Sequence, residues 1–188
     1  MRYFVDAEFN GFGGELISLA AVPETGVRPH FYEAIGCQRP SLWVRTQLLP
    51  VLQIKPRSRG EVAHLFASYL ESDPEPLIVS DCAESVAHAA LLLTDHSGAR
   101  LMPARVRFEL LPASDFSAQA VSELPFNAYR DALALRTHVL AQEAQSAARL
   151  KAARAAVAPR SPARRAASAP RRVSEPASAA LAGAAVGA

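Results

Sequence analysis

Two acidic residues near the start of the chain are spaced for joint chemistry. Asp6 and Glu8 lie two residues apart in a β-prone run that begins at Arg2. Alternate residues of a strand point to the same face, so we expect the two carboxylates to lie close together. Either such a pair binds a hard divalent cation through oxygen ligands, or one of the acids pairs with an arginine or faces water. A third acid, Asp131, lies in a segment built otherwise mainly of Ala and Leu.

Asp81 is a further candidate ligand. It follows the short apolar segment 77–79, whose composition is typical of a strand buried on both faces. If that strand lies beside the first one, Asp81 projects toward the same cleft as Asp6. The same position is equally suited to capping the helix that follows.

Other reactive patterns are weaker. Neither Cys37 nor Cys82 has a histidine or a second thiol at metal-ligand spacing, which argues against a zinc site or a thiol nucleophile. The glycine-rich segment 11–14 lacks the Lys-Ser/Thr pair and the helix start of a phosphate-binding loop. It is predicted to be a hairpin turn at the mouth of the site.

The elements that must position these acids follow from local patterns. Turn signals at 10–14 and 23–26 separate three β-prone runs, which predicts an antiparallel meander. Downstream, helical periodicity alternates with short apolar runs. The pattern indicates an α/β domain with a mixed sheet. The predicted strands are 2–8, 15–22, 27–35, 77–79 and 105–111, and the predicted helices are 41–49 (capped by Ser41 and ended by Pro50), 58–70, 83–93 and 127 to about 154.

The charge distribution divides the chain in two. The net charge is +2, but residues 142–188 contain eight basic and two acidic side chains, so residues 1–141 carry −4. From 158 onward the sequence is almost entirely Ala, Pro, Arg, Ser and Gly, which bury too little surface to offset the ordering entropy. We predict a folded domain over 1–150 and a disordered basic tail over 151–188. The tail is either a non-specific phosphate-binding arm or a solvated extension.

Composition also limits the cellular setting. No apolar stretch approaches the roughly 20 residues of a membrane span, so a membrane protein is excluded. No basic-then-apolar leader precedes Tyr3, and two cysteines cannot form a disulfide framework for 188 residues. We expect a cytoplasmic protein without a membrane partner.

Two segments of the first two predicted strands together resemble a known family motif. Residues 3–9, Tyr-Phe-Val-Asp-Ala-Glu-Phe, and residues 14–20, Gly-Glu-Leu-Ile-Ser-Leu-Ala, resemble the first motif of DEDD-type 3′-to-5′ exonucleases. The resemblance is to their small bacterial exoribonuclease branch, which has an RNase H-like fold. The helix around Asp131 is similar to the third motif, and the Trp-Val-Arg of 43–45 ahead of Leu-Pro at 49–50 is similar to another element of that branch. The similarity covers residues 2–140.

The resemblance implies an RNase H-like mixed sheet flanked by helices. It also implies a two-metal hydrolase that uses Mg²⁺ or Mn²⁺ to release nucleoside monophosphates from RNA 3′ ends. Asp6, Glu8 and Asp131 would be the catalytic metal ligands, and Asp81 would complete the second metal site. The implied substrate is single-stranded RNA or an RNA 3′ overhang. DNA as a substrate and a homodimeric assembly stay open.

The sequence departs from the family at the general base. The third motif has a histidine five positions before the acid, and here that position is Phe126. Tyr129 and His138 are the nearest substitutes for the base. Each is also explained as an ordinary residue, Tyr129 as a packed aromatic and His138 as a surface or core histidine.

A second departure concerns the second motif. Ser85 or Val86 stands where the family has another metal-binding acid. The missing acid and the missing base together define an alternative function. In that alternative, the chain is a catalytically impaired exonuclease-like domain that acts as a nucleic-acid-binding module.

Overall fold

The computed structural model describes residues 1–102, 105–112 and 116–157. Five strands form one mixed sheet in the order β3-β2-β1-β4-β5. Strands β1, β2 and β3 pair antiparallel, and β4 and β5 add in parallel to β1. Helices cover both faces, so the predicted α/β class with an RNase H-like sheet is confirmed. The strands are β1 (Arg2–Phe9), β2 (Leu16–Pro23), β3 (Phe31–Ala34), β4 (Leu77–Ser80) and β5 (Arg107–Leu110).

Four α-helices accompany the sheet. Helices α1 (Arg59–Glu71) and α2 (Ala83–Leu92) are followed by the short α3 (Ala118–Val121) and the long α4 (Ala128–Val157). Ser58 begins α1 with a complete capping box, in which its hydroxyl accepts from the N–H of Glu61 while the Glu61 carboxylate accepts from the Ser58 N–H.

The two faces of β1 bury different sets of residues. Tyr3, Val5 and Ala7 belong to the core that packs against α1 and α2. Phe4 packs with Leu135 of α4 on the opposite face. Every residue of β2 is buried, as expected for a central strand covered on both sides.

The segment after β3 departs in detail from the predicted helix over 41–49. The Ser41 hydroxyl accepts from the Val44 N–H at 3.2 Å, so the predicted cap is present. A π-helical stretch (Val44–Leu48) and a 3₁₀ turn (Leu49–Val51) then follow, and Pro50 lies inside that turn. Val44 and Leu48 are the buried residues of this segment, whereas Leu42 and Trp43 are exposed.

Two strands are shorter than predicted. The third begins at Phe31 because Val27 lies in an exposed turn, and the fifth covers only Arg107–Leu110. All four residues of β5 are exposed, since this strand lies at the edge of the sheet. The alternation of apolar and polar residues in this strand therefore does not mark a buried face, because the strand is at the edge of the sheet.

The last helix extends past the predicted boundary. Helix α4 continues to Val157, three residues beyond the predicted helix end near 154 and seven beyond the predicted domain boundary at 150, and residues 151–156 are exposed. The tail predicted to be disordered lies, from 158 onward, outside the described residues. Within the described ranges, no helix is both long and apolar enough to cross a bilayer.

Candidate metal centre

The sheet and α4 bring the acids together. Asp6 and Glu8 pair in register with Ala20 and Ser18 of β2, and both point to the face that α4 covers. Ala128 and Ala132 of α4 are fully buried against Ala20 and Val22 of β2. Small side chains on both surfaces allow the helix to approach the sheet closely. Asp131, between them in sequence, thereby reaches the acids of β1.

The three carboxylates form one compact cluster. One oxygen from each of Asp6, Glu8 and Asp131 lies within 4.8 Å of the others. Asp131 is fully buried, Glu8 is 9% exposed and Asp6 is half-buried. None of the ion pairs formed among the described residues involves any of the three. The predicted proximity is confirmed, and the alternative in which an arginine neutralises the pair does not hold in this part of the chain.

Asp131 is oriented by the start of its helix. Its Oδ2 accepts the backbone N–H of Phe126 at 3.1 Å, whereas its Oδ1 is buried and has no hydrogen-bond partner. Asn127, at the start of α4, accepts the Arg130 N–H at 3.1 Å with its Oδ1. The Asn127 Nδ2 donates to the Tyr32 hydroxyl at 3.1 Å and to the Val51 carbonyl at 2.7 Å. The turn that carries Asp131 is therefore fixed to the sheet.

Burial, together with the charges of neighbouring carboxylates, raises the pKa of all three acids. Burial raises the pKa of Asp6 well above its usual range, and the charges of Glu8 and Asp131 add to the effect. Burial and the charge of Asp131 raise the pKa of Glu8 to about 8. Burial also raises the pKa of Asp131. Hydrogen bonds from Ser122 and from the Phe126 N–H favour the charged form and partly oppose this effect. A divalent cation would relieve this repulsion, which fits a metal-binding donor set.

Asp81 lies at the margin of this cluster. It follows β4, is exposed, and lines the same pocket of about 260 Å³ as Asp6 and Glu8, but it is not one of the three clustered acids. Cys82, and not Asp81, occupies the N-cap position of α2 and makes no side-chain cap bond. The prediction that Asp81 caps α2 is therefore wrong. Asp81 does line the pocket beside Asp6 and Glu8, where it was predicted to project.

The structure also distinguishes Ser85 from Val86. Ser85 is fully buried, lines the pocket that Asp6 and Glu8 also line, and has a hydroxyl without a hydrogen-bond partner. Val86 is not among the lining residues of that pocket. The position at which the resemblance expects an acid is therefore best matched by Ser85.

None of the candidate bases belongs to the cluster. Phe126 has a left-handed backbone with φ 65°, and its ring meets Trp43 edge-to-face at 5.1 Å. Tyr129 stacks on Tyr32 and contacts His30, which confirms the packed-aromatic interpretation. His138 stacks on Phe116 at 4.4 Å, and its Nε2 is buried without a hydrogen-bond partner.

The predicted hairpin turn is present beside the site. Gly11 and Gly13 adopt φ values of 79° and 69°, which only glycine adopts without strain. The Gly13 N–H donates to the Glu84 carboxylate at 2.6 Å and attaches the hairpin to α2. Phe12 at the tip is 99% exposed.

Sequence reasoning missed several residues of the site. The segment 116–119, which includes the start of α3, lines the acid pocket, but a four-residue helix is too short to give a periodic signal. Asn127 positions Asp131, and an Asn just before a helical pattern was the available signal. Nothing in the sequence indicates the left-handed conformation of Phe126.

The two cysteines are free thiols. Burial and the neighbouring Glu15 raise the pKa of the Cys37 thiol to about 11, so the thiolate that nucleophilic chemistry needs is disfavoured there.

Comparison with known proteins adds no family to these observations. No family model matches the chain, and no curated protein matches its sequence. The functional argument therefore depends on the residues and their geometry.

Proposed function

We propose that the chain is a metal-dependent 3′-to-5′ exoribonuclease of the DEDD type. The observation that carries the proposal is the convergence of Asp6, Glu8 and Asp131, with one Asp131 oxygen buried and unpartnered. The first-motif resemblance over 3–9 and 14–20 supports the same chemistry.

The donor set suits a hard cation. Asp6, Glu8 and Asp131 would hold Mg²⁺ or Mn²⁺, with Asp81 contributing to a second ion. Bound there, the metal would supply Lewis acidity that lowers the pKa of a water and offsets the charge on the leaving 3′ oxygen. The carboxylates must lose their protons to bind it. Because the pKa of Glu8 is about 8, metal affinity should increase as the pH rises toward that value.

The absence of a base at Phe126 supports a second candidate function. A general base typically contributes about 10²- to 10⁴-fold to the rate, and the Phe126 ring provides none. The alternative is an exonuclease-like domain that binds nucleic acid without turnover.

The proposed substrate is single-stranded RNA or an RNA 3′ overhang, with DNA as the alternative polymer. We also propose a cytoplasmic location, which the two free thiols support. A homodimer is compatible with the proposal.

The test follows a single-stranded oligoribonucleotide labelled at its 5′ end. With Mn²⁺ or Mg²⁺, the protein should shorten it from the 3′ end one nucleotide at a time, and EDTA should stop the reaction. Asp131→Asn should abolish shortening, whereas Glu71→Gln, on the exposed end of α1, should not. If the wild type binds Mn²⁺ and RNA but leaves the RNA intact, the nucleic-acid-binding module replaces the enzyme.

A restored base separates the two candidates further. If the missing base limits turnover, Phe126→His should accelerate nucleotide release by roughly tenfold or more. No gain, with metal still bound, would place the defect at the second motif around Asp81 and Ser85.

A further inference from the structure

A second cavity lies on the other face of the sheet from the three acids. Its volume is about 890 Å³. Leu16 and Ile35 line it, and both belong to the core that packs against α1, whereas Asp6 and Glu8 point toward α4. The end of β3, the start of α1 and the end of α2 complete the wall.

The rim of this cavity is basic. Arg39, Arg57 and Arg59 line it and are exposed, and Glu15 is the one acid among its described lining residues. Arg57 pairs with Glu33 at 3.0 Å. The lining therefore has more positive than negative charge, and guanidinium groups suit phosphate oxygens in geometry.

Two of the arginines are held in place. Arg59 donates to the Leu91 carbonyl at 2.9 Å, which ties the start of α1 to the end of α2. The Asn10 side chain donates to the Arg39 carbonyl and accepts from the Ser41 N–H, both at 2.9 Å. The hairpin next to the acids therefore also holds the segment that carries Arg39, while no ion pair in the described structure engages the Arg39 guanidinium.

The remaining polar groups of the cavity do not suggest other chemistry. Burial lowers the pKa of His88, so this ring is neutral near pH 7. The Cys37 thiol donates to Glu15 at 2.9 Å. The positive character of the cavity thus comes from arginines, which stay charged at any physiological pH.

The cavity is close to the acid pocket. Phe9 lines the acid pocket and His88 lines the basic cavity, and their ring centroids are 5.3 Å apart. The two spaces therefore adjoin at this pair of rings.

We propose that the basic cavity is a second phosphate-binding site, which holds RNA backbone phosphates on the 5′ side of the nucleotide at the acids. This inference rests on the proposed function for the identity of the polymer. Arginine contacts to phosphates bind without regard to sequence, so the cavity would anchor the strand while its 3′ end is presented to Asp6, Glu8 and Asp131.

Two glycines offer a matched test. A Cβ at Gly36, which lines the cavity, would meet no atom within 4 Å, and the same is true at Gly26 in the turn after β2. Gly36→Glu places a negative charge in the cavity, and Gly26→Glu makes the same change elsewhere. Arg39→Gln removes one cavity charge, and Arg100→Gln removes one exposed charge outside it.

Binding is measured by fluorescence anisotropy of a labelled single-stranded oligouridylate with the full-length protein in EDTA, so that no turnover occurs. Gly36→Glu and Arg39→Gln should raise Kd about tenfold. Arg39→Gln should also reduce the slope of log K against log salt by about 0.7, the value for one lost phosphate contact on a single strand. Gly26→Glu and Arg100→Gln should bind the oligouridylate with the Kd of the wild type. All four variants should have the melting temperature of the wild type.

Equal affinity and salt dependence in Gly36→Glu and Gly26→Glu would overturn the cavity site. The result is independent of the proposed activity. Loss of binding in the cavity variants, together with an intact oligoribonucleotide in Mn²⁺, would refute the exonuclease and keep the site. Shortening of the RNA by a protein whose cavity variants bind normally would refute the site alone.

Discussion

The backbone N–H of Phe126 donates to Oδ2 of Asp131 at 3.1 Å from a left-handed conformation with φ 65°. This bond occupies one carboxylate oxygen, while Oδ1 is buried and has no hydrogen-bond partner. One oxygen of the same carboxylate lies within 4.8 Å of oxygens of Asp6 and Glu8. Phe126, which stands where the family resemblance expects a histidine base, thus orients Asp131 through its backbone N–H.

The left-handed conformation can be tested with two small residues. Phe126→Gly and Phe126→Ala both lose the ring contact with Trp43, but only alanine retains the steric penalty of positive φ. We expect the glycine variant to be more stable by about 1 kcal/mol, or roughly 2–4 °C in melting temperature. Urea unfolding of the two variants measures the difference. Equal stability, or a more stable alanine variant, would contradict the conformation.

Metal binding should depend on each clustered acid. Isothermal titration calorimetry with Mn²⁺ should show binding to the wild type that Asp6→Asn and Asp131→Asn abolish. In EDTA the same variants should melt at a higher temperature than the wild type, because one source of repulsion is removed. Glu71→Gln is the control and should change neither property. Equal binding by the wild type and Asp6→Asn would refute the site.

The metal-free protein should lose stability as the pH rises. The pKa of Glu8 is raised from 4.5 to about 8, so the folded state binds more protons than the unfolded state between these values. Stability from this group is complete below about pH 4.5 and is lost as the pH rises through about 8. Thermal melts in EDTA across this range should show the decline, at up to about 1.4 kcal/mol per pH unit. Glu8→Gln should flatten the profile, and a wild type as flat as the variant would contradict the raised pKa.

A carboxylate at Ser85 should complete the acid pocket. Ser85→Asp should lower the melting temperature in EDTA, because it adds a buried charge beside the existing acids. Mn²⁺ should raise the melting temperature of this variant again, and it should bind with a higher stoichiometry than in the wild type. Ser85→Ala serves as the control for the lost hydroxyl. If Mn²⁺ fails to rescue the aspartate variant, residue 85 does not face the metal.

Removal of the chain after Leu150 should leave the fold intact. The ion pair of Arg2 with Glu143 is retained, and residues 151–156 are exposed, so the melting temperature should not change. Binding of single-stranded RNA at low salt then reports on the tail. Weaker binding with a shallower salt dependence would identify an electrostatic arm. Unchanged binding would identify a solvated extension, and a lower melting temperature would mean that the removed segment packs on the domain.

The sequence by itself determined the elements and the first half of the site. Alternation put Asp6 and Glu8 on one face, and the Ser58 cap and apolar periodicity located α1, because each of these patterns depends on neighbours within a few residues. Apolar periodicity predicted a regular helix over 41–49, because it does not show that the helix widens into a π-helical stretch at Val44–Leu48 and tightens into a 3₁₀ turn at Leu49–Val51.

Only the tertiary structure decided what meets at the site. Asp131 reaches Asp6 because alanines of α4 pack closely on β2, and Ser85 rather than Val86 faces the acids because of how α2 lies against β1. The left-handed turn at Phe126 is likewise a product of packing. The arginines of the basic cavity come from the chain after β3 and from the start of α1, which the order of the strands brings together. Such convergence depends on contacts between residues distant in sequence, and no local pattern encodes them.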